Sequence, residues 1–172
     1  ELTIAAAMGT RFALRITPRA ELLQLALNLP VSQVTFTGDN LFDDYGADLE
    51  TFIPQLKDAG KLISFCLDPE LALLKRAYRL QADMVELSVN HYSENSSVAG
   101  QAEAQEQIAL MARTAEKNGL GVAVNGGISF QNALPLVSIE AVENVVVGRA
   151  IIGRSIFVGL ETAVRDFKAQ VQ

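Results

Sequence analysis

The chain of 172 residues has no tryptophan, one histidine and one cysteine, and aromatic residues make up only 6% of it. A lone cysteine cannot close an internal disulfide, so disulfide-stapled scaffolds are excluded and a reducing cytoplasm is compatible. That residue, Cys66, lies inside an apolar run, where a free thiol is expected to be a buried structural group. Positive charge is scarce too, with 14 Lys and Arg against 20 Asp and Glu and a net charge of −6. Nucleic-acid binders ordinarily present a basic face, so no nucleic-acid partner is expected. Any anion must then be held by local geometry. No apolar run approaches the length of a bilayer span, and no signal-peptide pattern opens the chain.

What is present suffices for a core: 49% of residues are hydrophobic and 20% charged. One domain over residues 1–172 is expected from that length. Strand-like runs begin near Arg11, Gln33, Lys61, Met84, Gly121 and Asn144. Their spacing, roughly 22 to 37 residues, suits strand–helix units. Helices are expected at about 18–29, 47–59, 69–80, 100–118, 130–137 and 158–171. Thr17-Pro18 and Asp68-Pro69 each set a capping residue before a proline, a common helix start. Near-continuous apolar strands alternating with helices predict a parallel sheet buried on both faces. The expected fold is therefore a (β/α)₈ barrel of the TIM type, short of its N-terminal strands. An open doubly wound sheet is the alternative, but its glycine-rich loop after the first strand is absent.

The N-terminus breaks the pattern. Leu2–Ile4 reads as a strand and Ala5–Met8 as the end of a helix, with no turn chemistry between them. A segment is expected to be missing at Ile4-Ala5, and another ahead of Glu1.

The functional signal lies in the last fifty residues. Asn144–Val147 reads as a short buried strand, and Gly148-Arg149 opens the helix that follows. A strand ending in glycine at a helix N-terminus makes an anion site, because the backbone can approach closely and the first N–H groups are unpaired. Gly121–Gly127 repeats the arrangement upstream, ending in Asn125-Gly126-Gly127. Two adjacent glycine-ended strands suggest the phosphate site that follows strands seven and eight of a (β/α)₈ barrel. Gly126, Gly127, Gly148 and Arg149 are the candidate phosphate-binding residues, and a phosphorylated small molecule is the expected partner.

GLGVAVNGGISFQN from Gly119 and VVVGRAIIGRSIFVGLETAVRDFK from Val145 resemble the C-terminal part of the pyridoxine 5′-phosphate synthase family. ADMVELSVNHYS is similar to that family's sixth strand, with Glu86 at the position of a catalytic glutamate. RITPRAELLQLA resembles its third strand and helix. The resemblance implies a cytoplasmic (β/α)₈ barrel that assembles into homo-oligomers. It implies condensation of deoxyxylulose 5-phosphate with an amino-acetone phosphate, with no metal or other cofactor. That chemistry is a run of proton transfers and needs several positioned acids and bases.

The departures bear on activity. Where the family's seventh strand ends in Gly-His-Gly, with the histidine a general acid, this chain has Asn125-Gly126-Gly127. Its third-strand glutamate falls within Phe12-Ala13-Leu14, and Gly-His after its eighth strand is Gly148-Arg149. Of the acid–base set only Glu86 remains, so an impaired synthase and a non-catalytic ligand- or partner-binding barrel are both open. Outside the motif, His91 follows the strand of Glu86, at the end where barrel sites lie. Asp43-Asp44 reads as a solvated turn; the resemblance implies that its loop, Gly38–Gly46, is a reduced form of the family's lid over the substrate. Arg154 reads as a surface ion-pair partner.

Overall fold

The computed structural model describes residues 11–172; the expected strand at Leu2–Ile4 and helix end at Ala5–Met8 lie outside them. Six strands follow in order: β1 (Ala13–Ile16), β2 (Gln33–Phe36), β3 (Leu62–Leu67), β4 (Met84–Ser88), β5 (Gly121–Asn125) and β6 (Asn144–Val146). All six begin close to the expected positions. The helices are α1 (Ala20–Asn28), α2 (Leu41–Asp58), α3 (Leu71–Arg79), α4 (Asn90–Glu94), α5 (Val98–Lys117), α6 (Ala133–Val137), α7 (Arg149–Val158) and α8 (Leu160–Val171). The strands occur in the sheet in chain order. The β1–β2, β2–β3 and β5–β6 pairs are parallel. The chain forms two compact units, one made of the residues up to Leu67 together with Ala72–Val85, the other of Asp68–Leu71 and Glu86–Gln172.

In the first unit the core follows from strand alternation. Val34 pairs with Ile63 and Phe36 with Phe65, and all four side chains are fully buried. Phe65 lies 5.5 Å from Phe36 and 5.1 Å from Phe42, ring centre to ring centre. The intervening residues point the other way, and there Thr35 pairs with Ser64, both buried. Burial on both faces therefore holds for these strands, but their second face is polar. Threonine and serine flanked by Val, Ile and Phe are easily counted into an apolar run. Arg15 on β1 continues the same row through its register with Thr35.

Two anchors fix the start of β3. The Lys61 amine is buried at its start and donates to the carbonyls of Leu29 and Val31, at 2.8 and 3.2 Å. Loss of water there pulls its pKa below the ordinary lysine value. Asp83 accepts from the Ile63 N–H at 2.7 Å and from Lys57 at 3.1 Å.

The proline-marked helix starts are displaced. Arg19 N–H bonds the Thr17 carbonyl and Glu70 N–H bonds the Asp68 carbonyl, each at 2.7 Å. Each proline thus sits at the centre of a three-residue turn, and α1 and α3 begin two residues beyond it. Neither Thr17 nor Asp68 caps by the expected geometry, though the two strand–helix joints are alike, as their sequences suggest.

The expected loop at Gly38–Gly46 is mostly helix, since α2 begins at Leu41. Asn40 enters it in the left-handed conformation with φ 48°, which asparagine tolerates. Asp43 and Asp44 stand in the first turn, where the helix dipole favours carboxylates. Asp43 pairs with Arg76 at 2.6 Å, and that guanidinium lies 5.0 Å over the Phe42 ring. Among the described residues, no group of three or more His, Cys, Asp or Glu side chains is placed to hold a metal.

In the second unit α5 is the longest described helix, with 20 residues. Ser97 caps it by accepting from Gly100 N–H at 3.1 Å. Its buried stripe is Ile108, Met111, Ala112 and Ala115, as the spacing predicts. In α8 the expected face of Leu160, Val164, Phe167 and Val171 is only partly buried. Ala163 and Phe167 face inward, whereas Leu160 is 56% and Val164 40% exposed. Phe167 sets this rotation through an edge-to-face contact with Phe130 at 5.2 Å. No described helix is long and apolar enough to cross a membrane.

Candidate functional site

The second unit holds every residue expected to bind phosphate, together with Glu86. Parallel pairing of Asn125 with Val146 sets the ends of β5 and β6 side by side. The glycines of both strands thus leave the sheet at its same end, as the sequence suggests.

The end of β5 is tightly built. Gly126 has φ 105° and Gly127 φ 62°, conformations that favour glycine. A β-carbon on Gly126 would lie 2.5 Å from Asn90 Oδ1, and one on Gly127 would lie 2.6 Å from Ser93 Cβ. The Ser93 hydroxyl contacts the carbonyls of Gly126 and Val89 at 2.7 and 2.8 Å. Asn132 donates to the Gly127 carbonyl at 3.1 Å and accepts from Ser129 N–H at 2.7 Å. The Tyr92 hydroxyl donates to the Asn132 carbonyl at 3.1 Å, and burial raises its pKa above the ordinary tyrosine value. Among the described residues the Gly126 and Gly127 N–H groups have no hydrogen-bond partner. Carbonyls are held from behind while donors stay available, which suits an anion.

β6 ends differently. Its side chains are not buried, contrary to the sequence reading, because β6 has only three residues and they are half-buried or exposed. Gly148 precedes α7 with no side-chain cap, so the helix's first N–H groups stay open. Nothing lies within 4 Å of a β-carbon built on Gly148. Arg149 is exposed and makes no ion pair among the described residues. Arg154, one turn on, is committed elsewhere. It pairs with Asp166 and lies 5.2 Å over the Phe130 ring, which matches the ion-pair expectation.

Glu86 lies on β4 between Val85 and Leu87 and is buried at 4% exposure. Alternation turns it to the opposite face from those two residues. His91 is exposed on α4 and lines a separate cavity of about 330 Å³ with Ser88, Tyr92 and Glu103. Cys66 is half-buried rather than enclosed. Ala13 is exposed on β1, in the first unit. The sequence reading missed Asn90, Ser93 and Asn132, which shape the end of β5. Asn90 and Ser93 stand on α4 and Asn132 in a polar turn, and only the close approach of α4 to the end of β5 gives them a role.

The sequence model for the pyridoxal phosphate biosynthesis protein PdxJ matches residues 2–172. The chain belongs to that family. A pyridoxine 5′-phosphate synthase of Syntrophobacter fumaroxidans is 31% identical, with 94% of this chain and 72% of the relative covered. One from Prosthecochloris aestuarii is 32% identical, covering 93% and 72%. The chain thus spans about seven tenths of the length of these relatives. Solved structures of mandelate oxidase share the fold. One has a TM-score of 0.65 at 16% identity, covering 99% of this chain and 59% of that one. Another, with (S)-4-hydroxymandelic acid, scores 0.64 at 14% identity and covers 99% and 61%. At such identities the likeness concerns fold alone.

Proposed function

We propose that this member of the PdxJ family is a pyridoxine 5′-phosphate synthase-like barrel that binds a phosphorylated small molecule but is impaired in ring closure. Residues 1–172 form one domain in this reading, with β1–β6 belonging to a (β/α)₈ barrel. The phosphate lies against the backbone of Gly126, Gly127 and Gly148, with Arg149 supplying a guanidinium able to bind two oxygens at once. Glu86 is the remaining acid–base group. The site uses no cofactor and no metal, and the protein acts in the cytoplasm without a nucleic-acid or membrane partner.

The observation that carries the impairment is at Gly126. Glycine carries no side chain, and at φ 105° with Asn90 Oδ1 2.5 Å from the place of a β-carbon, any side chain there would be both strained and crowded. No proton can be delivered from this position. A positioned acid or base typically contributes about 10²–10⁴-fold, so losing the groups at Gly126 and Ala13 costs on the order of 10⁴ or more, without simple additivity. Incubation of the purified protein with deoxyxylulose 5-phosphate and the amino-acetone phosphate should yield no useful rate of product. Robust turnover would overturn the impairment. For binding, Arg149→Ala should weaken phosphate affinity by about 1.5–3 kcal/mol in calorimetry; unchanged affinity would return Arg149 to a surface charge.

Self-association is supported by α7. None of its ten residues is buried, and Ile152, Ile156 and Phe157 are 59%, 78% and 87% exposed. Ile152 and Ile156 share a helix face. A homo-oligomer that covers them should dissociate in light scattering when Ile156→Asp and Phe157→Asp are combined. A wild-type monomer at tens of micromolar would refute it.

A further inference from the structure

The side chain nearest to where Gly126 has none is Asn90, and it has no role in the reading above. It is the first residue of α4, directly after β4, and it is exposed. Its Oδ1 lies 2.5 Å and its Cγ 3.1 Å from the position of a β-carbon on Gly126. The Asn90 carboxamide therefore occupies the space that a side chain at the end of β5 would fill. Ser93, a turn later on α4, grips the Gly126 carbonyl at 2.7 Å and holds the helix against the glycines.

We infer that Asn90 is a ligand-contacting residue of this site, reading a neutral oxygen next to the phosphate. This rests on the reading that phosphate sits on the glycine N–H groups. A carboxamide offers both a donor and an acceptor, so it suits a hydroxyl or carbonyl oxygen and is indifferent to which end faces the ligand. It carries no charge, and in this reading its contact is with the neighbouring oxygen and not with the phosphate itself. It also exchanges no proton near neutral pH. Binding selectivity at this position is thereby kept while proton transfer is lost.

The test is calorimetric titration of the full chain with two probes, inorganic phosphate and D-xylulose 5-phosphate. Wild type should bind the sugar phosphate more tightly than phosphate. Asn90→Ala should weaken the sugar phosphate about 5–20-fold, the loss of one or two hydrogen bonds, and leave inorganic phosphate within about twofold. A purely structural role would move both probes together, or neither. Equal loss for both probes, or no loss for either, overturns the inference. Arg149→Ala separates it from the phosphate reading. If that change leaves inorganic phosphate untouched while Asn90→Ala still weakens the sugar phosphate, the part given to Arg149 is wrong and Asn90 stands. Failure of wild type to bind either probe overturns both. The steric premise has its own check. Gly126→Ala should lower the urea midpoint, and adding Asn90→Gly should recover part of it. No recovery would show that Asn90 does not fill that space.

Discussion

The ends of β5 and β6 look alike in sequence, each a short apolar strand running into glycine, and they are built in opposite ways. At β5 glycine is strongly favoured, because positive φ and close neighbours both disfavour a side chain. At β6 Gly148 has φ −127° with open space around it, so glycine is a convenience. The first end is a rigid wall clamped by α4 and the Asn132 turn. The second is a helix terminus with no side-chain cap and an exposed guanidinium beside it. A phosphate site made from such a pair would take its shape from β5 and its charge from β6.

The sharpest way to break this contrast is alanine at each glycine. Gly126→Ala should destabilise by about 2–4 kcal/mol in urea unfolding, from backbone strain plus overlap with Asn90. If Gly126→Ala is silent, the wall at β5 is not rigid. Ser93→Ala comes next, with an expected loss of about 1 kcal/mol from the single hydroxyl proton that the Gly126 and Val89 carbonyls share.

Tyr92→Phe should cost a similar amount, about 0.5–1.5 kcal/mol, by removing the bond to the Asn132 carbonyl. It also has a pH signature. The raised pKa means the folded protein holds the phenolic proton more tightly than the unfolded chain. That contribution is fully present below the ordinary tyrosine pKa of about 10 and is lost as pH rises through the folded value. The wild type should therefore lose stability more steeply than Tyr92→Phe in alkaline unfolding; parallel curves would refute the shift. Smallest of all is Gly148→Ala, expected within about 0.5 kcal/mol of wild type. A large effect would mean that the end of β6 is as constrained as that of β5.

The six strands and the long α5 were legible because hydrophobic period and length are local properties of the chain. The start of α2 was not, since Asp43 and Asp44 read equally well as a turn until Arg76 and the helix dipole stabilise them. The polar row of Thr35 and Ser64 was hidden by its apolar neighbours, and only register aligns it. The glycine ends and Glu86 were legible as candidates because glycine and a carboxylate are conspicuous among apolar residues. Asn90 was not, because an exposed asparagine carries no local mark.

Sequence alone thus determined the order of the strands and of the longer helices, though not the short α4, and with them the family and the pair of glycine-ended strands. Those follow from side-chain size, polarity and backbone freedom, read residue by residue. Tertiary structure decided that Gly126 is locked while Gly148 is open, and that Asn90 fills the gap at one of them. The physical reason is that both depend on which atoms approach from residues more than thirty positions away in the chain, where α4 meets the end of β5.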